Sequence, residues 1–234
     1  DVKAFSVILG VAVDQSPPES VAMTAEALLN FAVERAAKGH PEIQPNTVIW
    51  CQILKALKKS DSQDAPEQAD AVLERMRDQG VEPNRAVFDK LIHVHAEKGN
   101  TVRSEDLIRQ MLQEYENGNK LVKPKTVSCN LVLLSYLKSS ERDETDRAER
   151  FLDIMQQGTI RDVPPDSVSY NIVMECFAKV GNAKGAEAVM KRMKEHLGKV
   201  PHCKKTGKEI TKELLSVKLF PLGSFTIDMW RDSH

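Results

Sequence analysis

Strand signals are almost absent from this chain. The one β-branched and aromatic cluster outside its periodic segments is LFPLGSFTIDMW from Leu219, which reads as a docked or extended tail rather than part of a sheet. Long apolar runs are missing too, and none approaches the roughly 18 residues that a membrane span requires. The four cysteines, Cys51, Cys129, Cys176 and Cys203, are scattered with no CxxC pair, which excludes a disulfide frame and fits reduced, intracellular thiols. Neither a glycine-rich phosphate loop nor a nucleophile paired with a base in one motif occurs. His93 and His95 would project about 200° apart on a helix, and His95 falls in an apolar column, so it reads as a core residue. His202 and Cys203 have no second pair at ligand spacing, so no metal or cofactor is implied. Charge of one sign is lacking as well: 33 Lys and Arg against 34 Asp and Glu leave a net −1, with a pI near 6.7. That balance excludes a protein gripping nucleic acid by bulk electrostatics.

What the chain does contain is repetition. PNTVIWC, PNRAVFD, PKTVSCN and PDSVSYN begin at Pro45, Pro83, Pro124 and Pro165, which stand 38, 41 and 41 residues apart. A second set of strings keeps the same period: AEALLNFA from Ala25, ADAVLERM from Ala69, SEDLIRQM from Ser104, AERFLDIM from Ala148 and AEAVMKRM from Ala186. Each opens on a small residue followed by an acid. A third pattern gives the first helix of each unit its apolar face: Phe5, Trp50, Phe88, Cys129 and Tyr170 are followed at i+3 by Ile8, Ile53, Leu91, Val132 and Val173. At i+7 come Ala12, Leu57, His95, Tyr136 and Phe177, completing an amphipathic stripe.

Five units of this kind predict pairs of antiparallel helices, with each proline stopping one helix and presetting the turn into the next. One hairpin cannot bury both of its apolar stripes, so the units must stack into an all-α solenoid. Small residues at Ala69, Ser104, Ala148 and Ala186 permit close helix approach, while Met76, Met111, Met155 and Met193 fill the gaps as core residues. The expected organisation is one elongated array over residues 1–202, with units near 2–46, 47–84, 85–125, 126–166 and 167–202. A capping helix near Gly207 to Phe220 and an extended tail are expected in 203–234.

The string PDSVSYNIVMECFAKVGNAKGAEAVMKRM from Pro165, with the linker DQGVEPN from Asp78, resembles the pentatricopeptide repeat. The likeness covers about residues 2–202, and the tryptophan, leucine-glycine and tyrosine columns of the tetratricopeptide repeat are not seen. The units are longer than that family's, through KSDSQDAPE from Lys59 and KSSERDETD from Lys138 between paired helices, and ENGNKLVKPK from Glu116 and QGTIRDVPPD from Gln157 in the linkers. Such loops are expected to splay the stack.

The resemblance implies a right-handed solenoid of about five helix-turn-helix repeats that binds single-stranded RNA along its concave face. It implies base-reading residues just after the aromatic column and at the end of each repeat: Ser6 with Asn46, Cys51 with Asn84, Asp89 with Lys125, Asn130 with Asp166, and Asn171 with His202. Of these, Asn130 with Asp166 matches a combination implying uracil, and Ser6 with Asn46 one implying adenine. An amide suits the task because it offers both a donor and an acceptor to a base edge. Helix capping is an alternative reading for Asn46, Asn84 and Asp166, which stand just before a helix start.

Near the end of the array Lys191, Arg192, Lys194, Lys199, Lys204, Lys205, Lys208 and Lys212 face only Glu195 and Glu209, a basic patch that fits either a phosphate contact or a solvated face. The leading expectation is a non-catalytic RNA-binding protein of a mitochondrion or plastid, acting in RNA processing, stability or translation, with single-stranded or ribosomal RNA as partner. The catalytic members of the family depend on an appended domain, and nothing after Leu219 carries its HxE and CxxC pattern. The rival is a scaffold or accessory subunit of a large organellar assembly, a ribosome or a membrane complex, gripping protein. Irregular unit lengths, the near-zero net charge, and Phe225 and Trp230 in the tail favour that rival.

Overall fold

Asparagines and an aspartate set the starts of several helices. In the computed structural model, which describes residues 2–141 and 143–198, Asn46 Oδ1 accepts from the backbone N–H groups of Val48 and Ile49 at 3.0 and 3.2 Å. Asn84 and Asp166 make the same kind of cap to Val87 and Ser169 at 3.3 and 3.0 Å. The described residues form ten α-helices and no strand: α1 (Val2–Gln15), α2 (Val21–Ala37), α3 (Thr47–Lys59), α4 (Ala65–Asp78), α5 (Arg85–Glu97), α6 (Thr101–Glu116), α7 (Thr126–Lys138), α8 (Glu144–Gln156), α9 (Ser167–Lys179) and α10 (Ala183–Leu197). They are five antiparallel pairs.

The pairs stack in two layers. Each odd-numbered helix packs on the odd-numbered helices before and after it, and each of α2, α4, α6 and α8 packs between the two odd helices that flank it in the chain. The core lies between the layers, where Trp50, Phe88, Leu91, Leu107, Tyr170 and the methionines Met76, Met111, Met155 and Met193 are all buried. An all-α solenoid with a methionine-filled seam is therefore what the periodic strings build.

Successive even helices are bridged by arginine–carboxylate pairs. The acid that follows each small residue takes an arginine from the next unit: Glu26 with Arg75 at 2.5 Å, Asp70 with Arg103 at 2.8 Å, Glu105 with Arg147 at 2.6 Å and Glu149 with Arg192 at 2.9 Å. The acid column of the sequence is thus an inter-repeat staple on the outer layer.

Two expectations are corrected. The apolar stripe of the first unit is not buried throughout, since Ile8 is 59% exposed while Ile53, Leu91, Val132 and Val173 are covered. No earlier unit stacks on that side of α1 among the described residues. Nor do the long linkers splay the stack. A 3-10 turn at Lys120–Val122 sends Val122 into the core, the second long linker buries Ile160 and Val163, and α5, α7 and α9 stay in contact. The extra residues plug the seam. The capping helix and tail expected in 203–234 lie outside the described residues.

Candidate nucleic-acid interface

At one register the inner layer presents an apolar side chain to solvent in each of the second to fifth units. At the second position of α3, α5, α7 and α9 stand Val48, Ala86, Val127 and Val168, all exposed; the three valines are 52%, 57% and 37% exposed. An apolar residue left in water at the same register in successive units is not explained by the core. The sequence carried this signal in the fourth letter of PNTV, PNRA, PKTV and PDSV, but an apolar letter at a helix start reads as core until the packing shows that it points outward.

Beside the first two members of this row lies a groove of about 440 Å³ between α3 and α5, lined by Val48, Cys51, Gln52, Lys55, Ala86 and Lys90. It combines apolar walls, the amides of Gln52 and Asn84, and two lysines. Lys55 is also paired with Asp14 at 2.6 Å.

The positions expected to read bases have different fates. Asn130 is buried, 8% exposed, and tied into a cluster. Its Nδ2 donates to Asp166 Oδ1 at 3.1 Å, and its Oδ1 accepts from the Ser169 hydroxyl at 2.6 Å. Asp166 at the same time caps α9. The two residues therefore do meet, and each is already hydrogen-bonded. Asp89 accepts from Ser128 at 2.5 Å and pairs with Arg85 at 2.9 Å. Burial pushes its carboxyl above the ordinary range despite those two partners.

Ser6 turns its hydroxyl to the Lys3 carbonyl of its own helix at 2.8 Å. Asn46 is exposed but occupied as the cap of α3, Lys125 is exposed at the start of α7, and Asn171 is half-buried on α9. Cys51 is nearly covered, with its thiol pushed up by burial. His202 lies outside the described residues.

The basic patch divides in the same way. Arg192 is committed to Glu149, Asp153 and Gln156 on α8, so it belongs to the staple and not to a free cationic face. Lys191 and Lys194 are exposed on α10, whereas Lys199, Lys204, Lys205, Lys208 and Lys212 lie outside the described residues. His95 is buried at 2% exposure with Nε2 3.4 Å from Asp70, in the core as its column predicts. Among the described residues no group of three or more His, Cys, Asp or Glu is placed to hold a metal. No helix among them is long and apolar enough to cross a membrane.

A stack of helical hairpins with a regular row of positions along its inner layer defines an α-helical repeat protein. The family profile described as the pentacotripeptide-repeat region of PRORP matches residues 22–210. The chain belongs to the pentatricopeptide repeat family.

Curated relatives from Arabidopsis thaliana agree. Pentatricopeptide repeat-containing protein At5g25630 is 26% identical over 143 residues, 61% of this chain and 23% of the relative. Pentatricopeptide repeat-containing protein At3g09650, chloroplastic, is 26% identical over 149 residues, 64% of this chain and 17% of the relative. The chain thus spans less than a quarter of the length of either. The crystal structure of the PPR domain of Arabidopsis thaliana protein-only RNase P 1, in complex with tRNA, superposes with a TM-score of 0.60 at 14% identity, covering 92% of this chain and 96% of that one. The pentatricopeptide repeat protein PPR10 from maize gives 0.62 at 21% identity, covering 83% and 24%. These likenesses establish the fold.

Proposed function

We propose that this chain binds single-stranded RNA along its inner layer as a non-catalytic protein of a mitochondrion or plastid, acting in RNA processing, stability or translation. The observation that carries this reading is the row Val48, Ala86, Val127 and Val168, exposed at one register in the second to fifth units beside the expected base-reading positions. Unpaired bases have flat apolar faces, and side chains spaced along a solenoid can hold successive bases while neighbouring polar groups meet their edges. The tRNA in the complex of the protein-only RNase P repeat domain and the chloroplastic label of one relative support the same reading. With a net charge of −1, affinity comes mainly from these short-range contacts, with Lys55 and Lys90 in the α3–α5 groove supplying local attraction to phosphate.

A second reading is a scaffold in a large organellar assembly. It is favoured by the exposed apolar side chains of the first hairpin, Val7, Ile8 and Val11 on α1 and Met23 on α2. Equilibrium binding of the purified chain to labelled single-stranded RNAs at physiological salt separates the two. Sequence-dependent binding that falls severalfold in Val127→Asp and Lys90→Glu supports the RNA reading. Absence of binding, with stoichiometric co-purification in a large complex, overturns it in favour of the scaffold.

A further inference from the structure

The hydroxyl of Ser169 does two things with its two ends. Its oxygen accepts the Asp166 backbone N–H at 3.1 Å, which belongs to the start of α9. Its single proton is not needed for that cap. Two acceptors lie within reach, and Asn130 Oδ1 at 2.6 Å, 39 residues earlier in the chain and on α7 of the preceding unit, is nearer than Asp166 Oδ1 at 3.1 Å. Ser169 is fully buried, so water does not compete for this proton.

The consequence is an amide held at both ends. Ser169 donates to the carbonyl oxygen of Asn130, while the Asn130 amide nitrogen donates to Asp166 Oδ1 at 3.1 Å. An amide has two N–H protons and a carboxylate two oxygens, so one donor of Asn130 and the second oxygen of Asp166 remain for a ligand. A donor beside an acceptor complements a base edge that sets a carbonyl next to a ring N–H. If Asn130 turned over, its carbonyl would replace the donor and the complement would change. Orientation is therefore chemical information here.

A buried serine at the same register also reaches back to the preceding unit at the neighbouring repeat junction. Ser128, at the same third position of α7 and also fully buried, lies 2.5 Å from Asp89 Oδ1 on α5 and accepts the Lys125 N–H at 3.3 Å. Where the third position is Ile49 or Val87 no such hydroxyl exists, and Ser6 of the preceding unit bonds back into its own helix. A buried serine at this register thus goes with a base-facing residue that is held from the next unit.

We propose that Ser169 is a positioning residue for base recognition, holding the Asn130 amide, together with Asp166, in the orientation that meets the ligand, and that Ser128 fixes the rotation of the Asp89 carboxylate. This rests on the RNA-binding reading above. Removing the Ser169 hydroxyl strands the Asn130 carbonyl without that partner at a site closed to water, and leaves the amide held at one end only, by its bond to Asp166.

The test uses the full chain and a panel of single-stranded RNAs that differ at one nucleotide at a time. Ser169→Ala is expected to lower the discrimination between uracil and cytosine at a single nucleotide position by roughly fivefold or more, the scale of one lost hydrogen bond. Discrimination at other positions and the salt dependence are expected to stay as they were, with Ser169→Thr restoring the ratio. Ser128→Ala is expected to act at a different nucleotide. A uniform loss at all positions, or unchanged discrimination in a folded Ser169→Ala chain, overturns the proposal. Without RNA, the Asn130 side-chain amide resonances are expected to move in Ser169→Ala and return in Ser169→Thr, and resonances that do not move overturn it equally. If the unaltered chain discriminates no RNA, the RNA reading itself falls and takes this inference with it.

Discussion

Arg103 of α6 grips Asp70 of α4 through two guanidinium nitrogens, with Nε 3.1 and 3.2 Å from the two carboxylate oxygens and Nη2 2.8 Å from Oδ1. Burial alone would raise the Asp70 carboxyl, but His95 and Arg103 together hold it below its ordinary value. The pair joins two repeats on the outer layer, where successive helices share little apolar surface. Arg103→Ala is expected to cost about 1–2 kcal/mol, since it leaves a half-buried carboxylate with only His95 beside it. In a chain of this size that is a fall of roughly 2–6 °C in the unfolding midpoint, measurable by circular dichroism. Arg103→Lys is expected to recover only part of it, because an ammonium cannot span both oxygens. A midpoint unchanged in Arg103→Ala would show that the ladder contributes nothing to stacking.

Gly99 closes α5 with φ +67°. A Cβ there would stand 2.8 Å from Ser139 Cα and 2.9 Å from Ser139 N, both backbone of the next unit. Gly80 makes a useful control, having φ +70° with nothing within 4 Å of its Cβ position. Both substitutions to alanine carry the left-handed conformational cost of about 1–2 kcal/mol. Gly99→Ala is expected to exceed Gly80→Ala by at least roughly 1 kcal/mol, because backbone must move to admit the methyl group. Equal losses in denaturant titrations would mean that the two units are not in tight contact there.

Glu97 on α5 is held at about 2, below its ordinary 4.5, chiefly by the hydrogen bond with His93, against burial, with Lys138 of α7 adding attraction. A depressed carboxyl stabilises the fold fully above its unfolded value and loses that contribution as pH falls through its folded value. The window here runs from about 4.5 down to about 2. Glu97→Gln is expected to be less stable than the unaltered chain at pH 6, with the gap closing as pH approaches 2. A gap independent of pH would remove this linkage.

How far the sequence alone reached can be judged residue by residue. The period, the helix pairs and the burial of Met76, Met111, Met155 and Met193 were legible because helical packing repeats its side-chain types at fixed offsets. The caps at Asn46, Asn84 and Asp166 were legible for the same local reason. The outward-facing valines were not, since an apolar letter carries no direction until its neighbours are placed. Nor was the fate of Arg192, which looked like part of a cationic face and is consumed by Glu149 and Asp153.

By itself, then, the sequence determined that this protein is an array of about five helical hairpins with a candidate reading position in each. Those facts depend on contacts within one repeat or between equivalent places in adjacent repeats, and the chain writes them out five times. Only the tertiary structure decided which reading residues are held and by what, as with Asn130 between Asp166 and Ser169. Those bonds span 36 and 39 residues and turn on angles and distances of a few ångströms, which no letter pattern specifies.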